Sequence, residues 1–135
     1  MIAAMIVLFS GCGAPKTSDK DLTMIDLGEL TALMDSAAEH PAKLVIVDPR
    51  PVSDYAAGHI PGAVSLRLPD VGEDMRRPPV LAGKKTIVVY GEDPGSAVAK
   101  GMAKKLISLR YKGVRMFAGG IRAWRGAGMG VDSGQ

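Results

Sequence analysis

Residues able to do covalent or acid–base chemistry are scarce in this chain. It has one cysteine, Cys12, and two histidines, His40 and His59. One cysteine makes no internal disulfide, and no ligand spacing joins it to a histidine, so neither a metal site nor a cofactor is expected. Two polar stretches follow apolar runs. Asp48 and Arg50 come after Leu44-Val45-Ile46-Val47, and Gly91-Glu92-Asp93-Pro94-Gly95-Ser96 comes after Ile87-Val88-Val89-Tyr90. An acid and a base two residues apart can pair and fix a loop. Ser96 precedes a helical stripe and has no base suggested beside it, so it reads as a helix N-cap rather than a nucleophile. Glu92 and Asp93 would repel an anion, and they suit the positive end of the helix that follows.

The elements that must position these residues alternate in type. Residues 26–39 place Leu27, Leu30, Leu33, Met34 and Ala37 at helical spacing, with Asp26 and Glu29 as a capping box. His40-Pro41 ends that helix. The run 44–47 reads as a strand buried on both faces of a parallel sheet. Residues 53–57 suit one helical turn, Gly58-His59-Ile60-Pro61-Gly62 a turn, and 63–66 a short strand. Residues 69–81 read as a surface connection. The run 86–90 is the clearest strand. Ser96 caps a helix to about Leu109, with Val98, Met102, Leu106 and Leu109 on one stripe and Lys100, Lys104 and Lys105 facing out. A strand at 114–117, a Gly119-Gly120 turn and a helix over 121–127 containing Trp124 complete the chain. This alternation predicts an α/β fold with a mostly parallel central sheet. No internal repeat is present.

Composition permits a core but names no activity: 47% of residues are hydrophobic and 23% charged, with a net charge of +3. The charge is uneven. Acids outnumber bases over 16–74, whereas 76–125 hold twelve Lys or Arg and only Glu92 and Asp93 as acids. A basic face suits an anionic membrane surface or an acidic partner, although a solvated face is the plainer reading. No basic run is interleaved with aromatics, so nucleic-acid binding is not expected. Residues 75–77 and the Lys100, Lys104, Lys105 face are candidate contact surfaces.

The first nine residues, M-I-A-A-M-I-V-L-F, are apolar throughout and shorter than the ~20 residues that span a bilayer. They fit a signal-peptide core. Ser10-Gly11-Cys12 follows, and the segment resembles the lipobox of bacterial lipoproteins. That resemblance implies removal of residues 1–11, diacylation of Cys12 and a flexible linker over 12–22. Phe9 stands where that family prefers leucine, and a basic leader end is missing. Gly13, in place of an aspartate, argues against inner-membrane retention. The expected location is the bacterial envelope, with the domain lipid-anchored and facing the periplasm or the exterior.

Val47-Asp48-Pro49-Arg50, then Asp54-Tyr55-Ala56-Ala57-Gly58-His59-Ile60-Pro61-Gly62-Ala63, resembles the first signature of rhodanese-like domains. Ala118-Gly119-Gly120-Ile121-Arg122-Ala123-Trp124 resembles their closing signature. The resemblance covers about residues 23–131 and leaves 132–135 as a tail. It implies a parallel sheet of about five strands flanked by helices. Ile87-Val88-Val89-Tyr90 lies where the family places the strand leading into its active-site loop. Active members place a cysteine directly after that strand, where the loop's N–H groups and the next helix N-terminus lower a thiol pKa and stabilise anionic sulfur. In this chain that position is Gly91, which has no nucleophile. Phosphatases of the same fold need a cysteine there too.

The resemblance therefore implies a module with no catalytic residue. Asp48 and Arg50 are expected to fix the loop after their strand, and His59 to bond backbone within its turn. Gly58, Gly62, Gly119 and Gly120 are expected to supply backbone freedom, and Trp124 to pack the last helix. Glu92 and Asp93 are expected to fill the cradle from within. The expected function is binding of a protein partner or small ligand at the envelope, with oligomeric state open. Two other readings stay open: a sulfurtransferase using a thiol supplied by a partner, and a structural envelope protein.

Overall fold

Short β-branched runs form the sheet, and amphipathic segments between them form its cover. The computed structural model describes residues 16–72 and 77–135. The apolar leader and Cys12, and Met75 and Arg76 of one candidate contact surface, lie outside the described residues. Strands β1 (Met24–Ile25), β2 (Leu44–Asp48), β3 (Val64–Ser65), β4 (Thr86–Tyr90) and β5 (Val114–Phe117) make one sheet in the order β1-β5-β4-β2-β3. Every pairing between them is parallel. Helices α1 (Leu27–Glu39), α2 (Val52–Ala57), α3 (Ala97–Ser108) and α4 (Gly120–Gly126) connect or follow the strands. The architecture is thus α/β, with an all-parallel sheet where a mostly parallel one is expected.

Parallel pairing requires crossovers, and these cover both faces, so the central strands are apolar without alternation. On one face Val45, Val47, Ile87, Val89, Val114 and Met116 pack under α3. On the other, Ile46, Val88, Tyr90 and Phe117 pack under Leu30 of α1, Tyr55 of α2, and Ile121 and Trp124 of α4. The stripe of α3 differs slightly from the one read from sequence. Ala99, Met102, Ala103 and Leu106 are the buried positions, at strict i, i+3, i+4, i+7 spacing, and Val98 is only half-buried. Lys100, Lys104 and Lys105 are half-buried rather than turned fully outward, and Lys104 pairs with Asp19.

Two caps set the helix starts. The Asp26 carboxylate accepts the Glu29 N–H at 2.8 Å, and the Glu29 carboxylate accepts the Asp26 N–H at 2.8 Å. The Ser96 hydroxyl accepts the Ala99 N–H at 3.3 Å. Residues 132–135 lie against the domain. His59 and Asp132 exchange both backbone hydrogen bonds, at 2.9 and 3.0 Å, and the Gly134 N–H donates to the Ala56 carbonyl at 2.9 Å.

Candidate functional site

Asp48 ends β2 and Tyr90 ends β4, and these strands are neighbours in register, Val47 opposite Val89. Strand alternation then puts both side chains on the same face. Asp48 is fully buried, and Arg50 nearly so. The Arg50 guanidinium grips the Asp48 carboxylate bidentately, Nε to Oδ1 at 3.0 Å and Nη2 to Oδ2 at 2.8 Å. The Arg50 backbone N–H also donates to Oδ1 at 3.1 Å, which closes the loop after β2. The Tyr90 hydroxyl donates to Oδ2 at 2.5 Å and accepts the Ile60 N–H at 3.2 Å. Arg50 reaches two further groups, the Gly58 carbonyl through Nη2 at 2.8 Å and the Glu92 carboxylate through Nη1 at 3.1 Å.

This network is a buried ion pair with its remaining valences satisfied, the arrangement in which such a pair is tolerated. Burial alone would depress the Arg50 guanidinium, but its hydrogen bonds to Asp48 outweigh that and hold it above its ordinary range. Burial, then the Asp48 charge, pushes the Tyr90 phenol well above its ordinary value. Both groups are therefore locked in their protonated forms. They are structural donors and not proton carriers at neutral pH.

The 91–96 loop is tied down at both ends. The Gly91 and Glu92 carbonyls accept the Ile121 and Arg122 N–H groups at 2.9 and 3.0 Å, so the loop backbone caps the start of α4. Gly120, at φ 66°, makes that approach possible, because a Cβ there would stand 2.6 Å from the Gly91 oxygen. Within the loop, Asp93 Oδ1 accepts the Gly95 N–H at 2.8 Å, and its other oxygen faces Arg122 at 3.5 Å. Glu92 takes no loop N–H; its half-exposed carboxylate turns to Arg50 instead. Pro94 is exposed at the loop's tip. A Cβ at Gly91 would overlap the Ser96 Oγ and Cβ and stand 2.9 Å from the Ala99 Cβ. Gly91 does not take a left-handed φ. What bars a side chain there is the space that Ser96 fills, and not the backbone.

The turn after α2 is held from several sides. The His59 ring stacks on Tyr55, with centroids 3.8 Å apart, and its Nδ1 lies 2.8 Å from the Tyr55 carbonyl. The Tyr55 hydroxyl donates to the Ala63 carbonyl at 2.7 Å. Gly62 takes φ 81°, as the turn requires. Gly58 and Gly119 correct the sequence reading. Their φ values, 167° and −64°, are open to any residue, and what they supply is room. A Cβ would strike the Arg125 guanidinium at Gly58 and the Ala123 Cβ, 2.5 Å away, at Gly119. Trp124 is buried, and its indole N–H donates to the Gly130 carbonyl at 2.8 Å.

The rhodanese-like domain family matches residues 26–127. The chain belongs to that family. Over 92 residues this rhodanese-like domain is 30% identical to the HTH-type transcriptional regulator Rv0324 of Mycobacterium tuberculosis, a match covering 68% of the chain and 39% of the regulator. It therefore spans about two fifths of that curated relative's length. A solved protein of unknown function from Rhodopseudomonas palustris, described as a possible tyrosine phosphatase, aligns at TM-score 0.70 and 26% identity over 84% of this chain and 86% of that one. The fold is shared with a thiosulfate sulfurtransferase of Pseudomonas aeruginosa, at TM-score 0.58 and 22% identity over 86% of this chain and 21% of that one.

The rhodanese-like fold brings Asp48, Arg50, Gly58 and Glu92 into one network and sets His59 on the adjoining turn. Gly119, Gly120 and Trp124 lie across the loop from it, in the segment that α4 begins. Tyr90 and Tyr55 are site residues that stand in the quoted segments but received no role from motif reading. For Tyr90 the signal was strand register: it is the side chain opposite the end of β2 on the Asp48 face.

Proposed function

We propose that this rhodanese-like domain binds and does not catalyse, and that it is held at a bacterial envelope through a lipid on Cys12. The observation that carries the first part is the filled space beside Gly91, where Ser96 stands in the path of any side chain. A missing thiol alone leaves a cradle ready to be re-armed. Here the room for a thiol is also occupied. The sole cysteine, Cys12, precedes the domain, so persulfide chemistry and cysteine-phosphatase chemistry both lack a nucleophile in the loop. Binding falls to the loop's outer surface, where Glu92 and Asp93 present carboxylates, and this favours a cationic or hydrogen-bond-donating partner. The anchor reading rests on the apolar leader before Cys12. Cys12 and Asp19 are seven residues apart, a reach of at most about 25 Å, so a lipid there would hold the domain close to the bilayer.

Sulfur transfer from thiosulfate to cyanide tests the catalytic reading. The full chain and its Cys12→Ser variant are expected to release no thiocyanate above the uncatalysed rate. Turnover by Cys12→Ser, which has no thiol at all, would overturn the reading. Metabolic labelling with an alkyne fatty acid tests the anchor: label on the parent and none on Cys12→Ser is expected, and an unlabelled parent would remove the envelope assignment.

A further inference from the structure

The connections entering β4 and β5 lie at the other end of the strands from the 91–96 loop. They enclose a cavity of about 270 Å3. Arg77, Lys84, Arg110 and Lys112 line it, and among the described residues no acidic one does. Among the described residues, none of these four forms an ion pair with a carboxylate. Arg77 donates to the Leu109 carbonyl at 3.1 Å and Lys84 to the Pro41 carbonyl at 3.4 Å. The Tyr111 ring forms one wall, with the Arg77 guanidinium 4.8 Å from its centroid. The Tyr111 hydroxyl is the one buried side-chain polar atom of the described residues without a hydrogen-bond partner.

The C-terminus of α3 lies here, and its dipole carries about half a negative charge. One cation would offset that; four leave a strong positive excess. The turn also keeps a residue that the backbone disfavours. Arg110 follows the helix cap at φ 65°, where glycine is the preferred residue, and Tyr111 N–H bonds back to the Leu106 carbonyl at 3.0 Å. Keeping arginine there sacrifices some stability for a charge. The cavity has room for a phosphoryl group and a few further atoms, and it is a hollow rather than the long strip an acidic peptide needs. Guanidinium forks match phosphate oxygens.

We propose that this cavity binds a phosphate monoester dianion, carried by a small molecule or by a lipid headgroup. The test uses the full chain with inorganic phosphate, against chloride at matched ionic strength, by thermal melting and amide NMR shifts. Phosphate is expected to raise the Tm and to move the amides of 110–112. The Arg110→Gly/Lys112→Gln variant is expected to bind at least about tenfold more weakly. It should melt as high as the parent without phosphate, since glycine suits that φ. Vesicles separate the two sources, parent and variant carrying the same N-terminus. Stronger retention of the parent on phosphatidylcholine containing phosphatidic acid, and not on phosphatidylcholine alone, assigns a headgroup. Phosphate binding without that difference assigns a soluble phosphomonoester. No phosphate effect beyond chloride, or equal affinity in the variant, overturns the proposal.

Discussion

At the scale of single residues, the loop after β4 is defined by a glycine and a serine that fill one space between them. Gly91→Ala is expected to cost about 1–3 kcal/mol, the usual penalty of forcing an extra carbon into a packed site. In a Ser96→Gly background the same change should cost less, because glycine is a fair N-cap and removes the two closest overlapping atoms, leaving the Ala99 Cβ at 2.9 Å. Urea denaturation of the four proteins in this cycle reads the coupling. Additive costs would show that Ser96 is not what closes the site. Asp48→Asn is expected to be far more severe, about 3–5 kcal/mol, because it leaves the buried Arg50 charge without its main partner. Glu92→Gln should cost under about 1 kcal/mol in the same assay, since its carboxylate is 54% exposed. If the two changes cost the same, the network is not centred on Asp48.

At the scale of elements, the segment after α4 is a strap and not a free end. It contributes three backbone hydrogen bonds to the turn that carries His59 and to α2. At about 0.5–1.5 kcal/mol each, deletion of residues 132–135 is expected to destabilise the domain by about 1.5–4.5 kcal/mol. It should also deprotect the His59 amide in hydrogen exchange; an unchanged rate there would refute the strap. Sequence pattern did not reveal this, because an isolated antiparallel bridge has no periodicity. It did not reveal β1 either, since Met24–Ile25 is two residues long and exists only by pairing with β5. Long elements were legible for the opposite reason. The β-branched runs of β2 and β4, and the Asp26 and Ser96 caps, state their structure locally. The site was legible where a motif coincided with a contact, as in Asp48 and Arg50. It was hidden where a contact crossed the sheet, as in Tyr90, or where a side chain filled a space, as in Ser96.

At the scale of the whole molecule, one network joins the strands to the turns around them: β2 through Asp48, β4 through Tyr90, the turn at Gly58 through Arg50, and the loop through Glu92. Its protonation should therefore govern global stability at high pH. Tyr90 has a folded-state pKa raised above its unfolded value of about 10, because burial and the Asp48 charge both oppose a phenolate. Tyr55 shifts the same way, burial first. A raised pKa means the folded state holds the proton more tightly. The stabilisation is complete below about pH 10 and is lost as the pH climbs above it, because only the unfolded chain can then release the proton. Arg50 acts with the same sign, held above its ordinary range by its hydrogen bonds to Asp48. The domain is expected to unfold cooperatively above pH 10, and the Tyr55 and Tyr90 share of phenolate absorbance should appear with the loss of circular dichroism. Phenolate absorbance of Tyr55 and Tyr90 rising with a midpoint near pH 10 in a chain that keeps its circular dichroism would mean that these hydroxyls reach water, and that the network does not close the molecule.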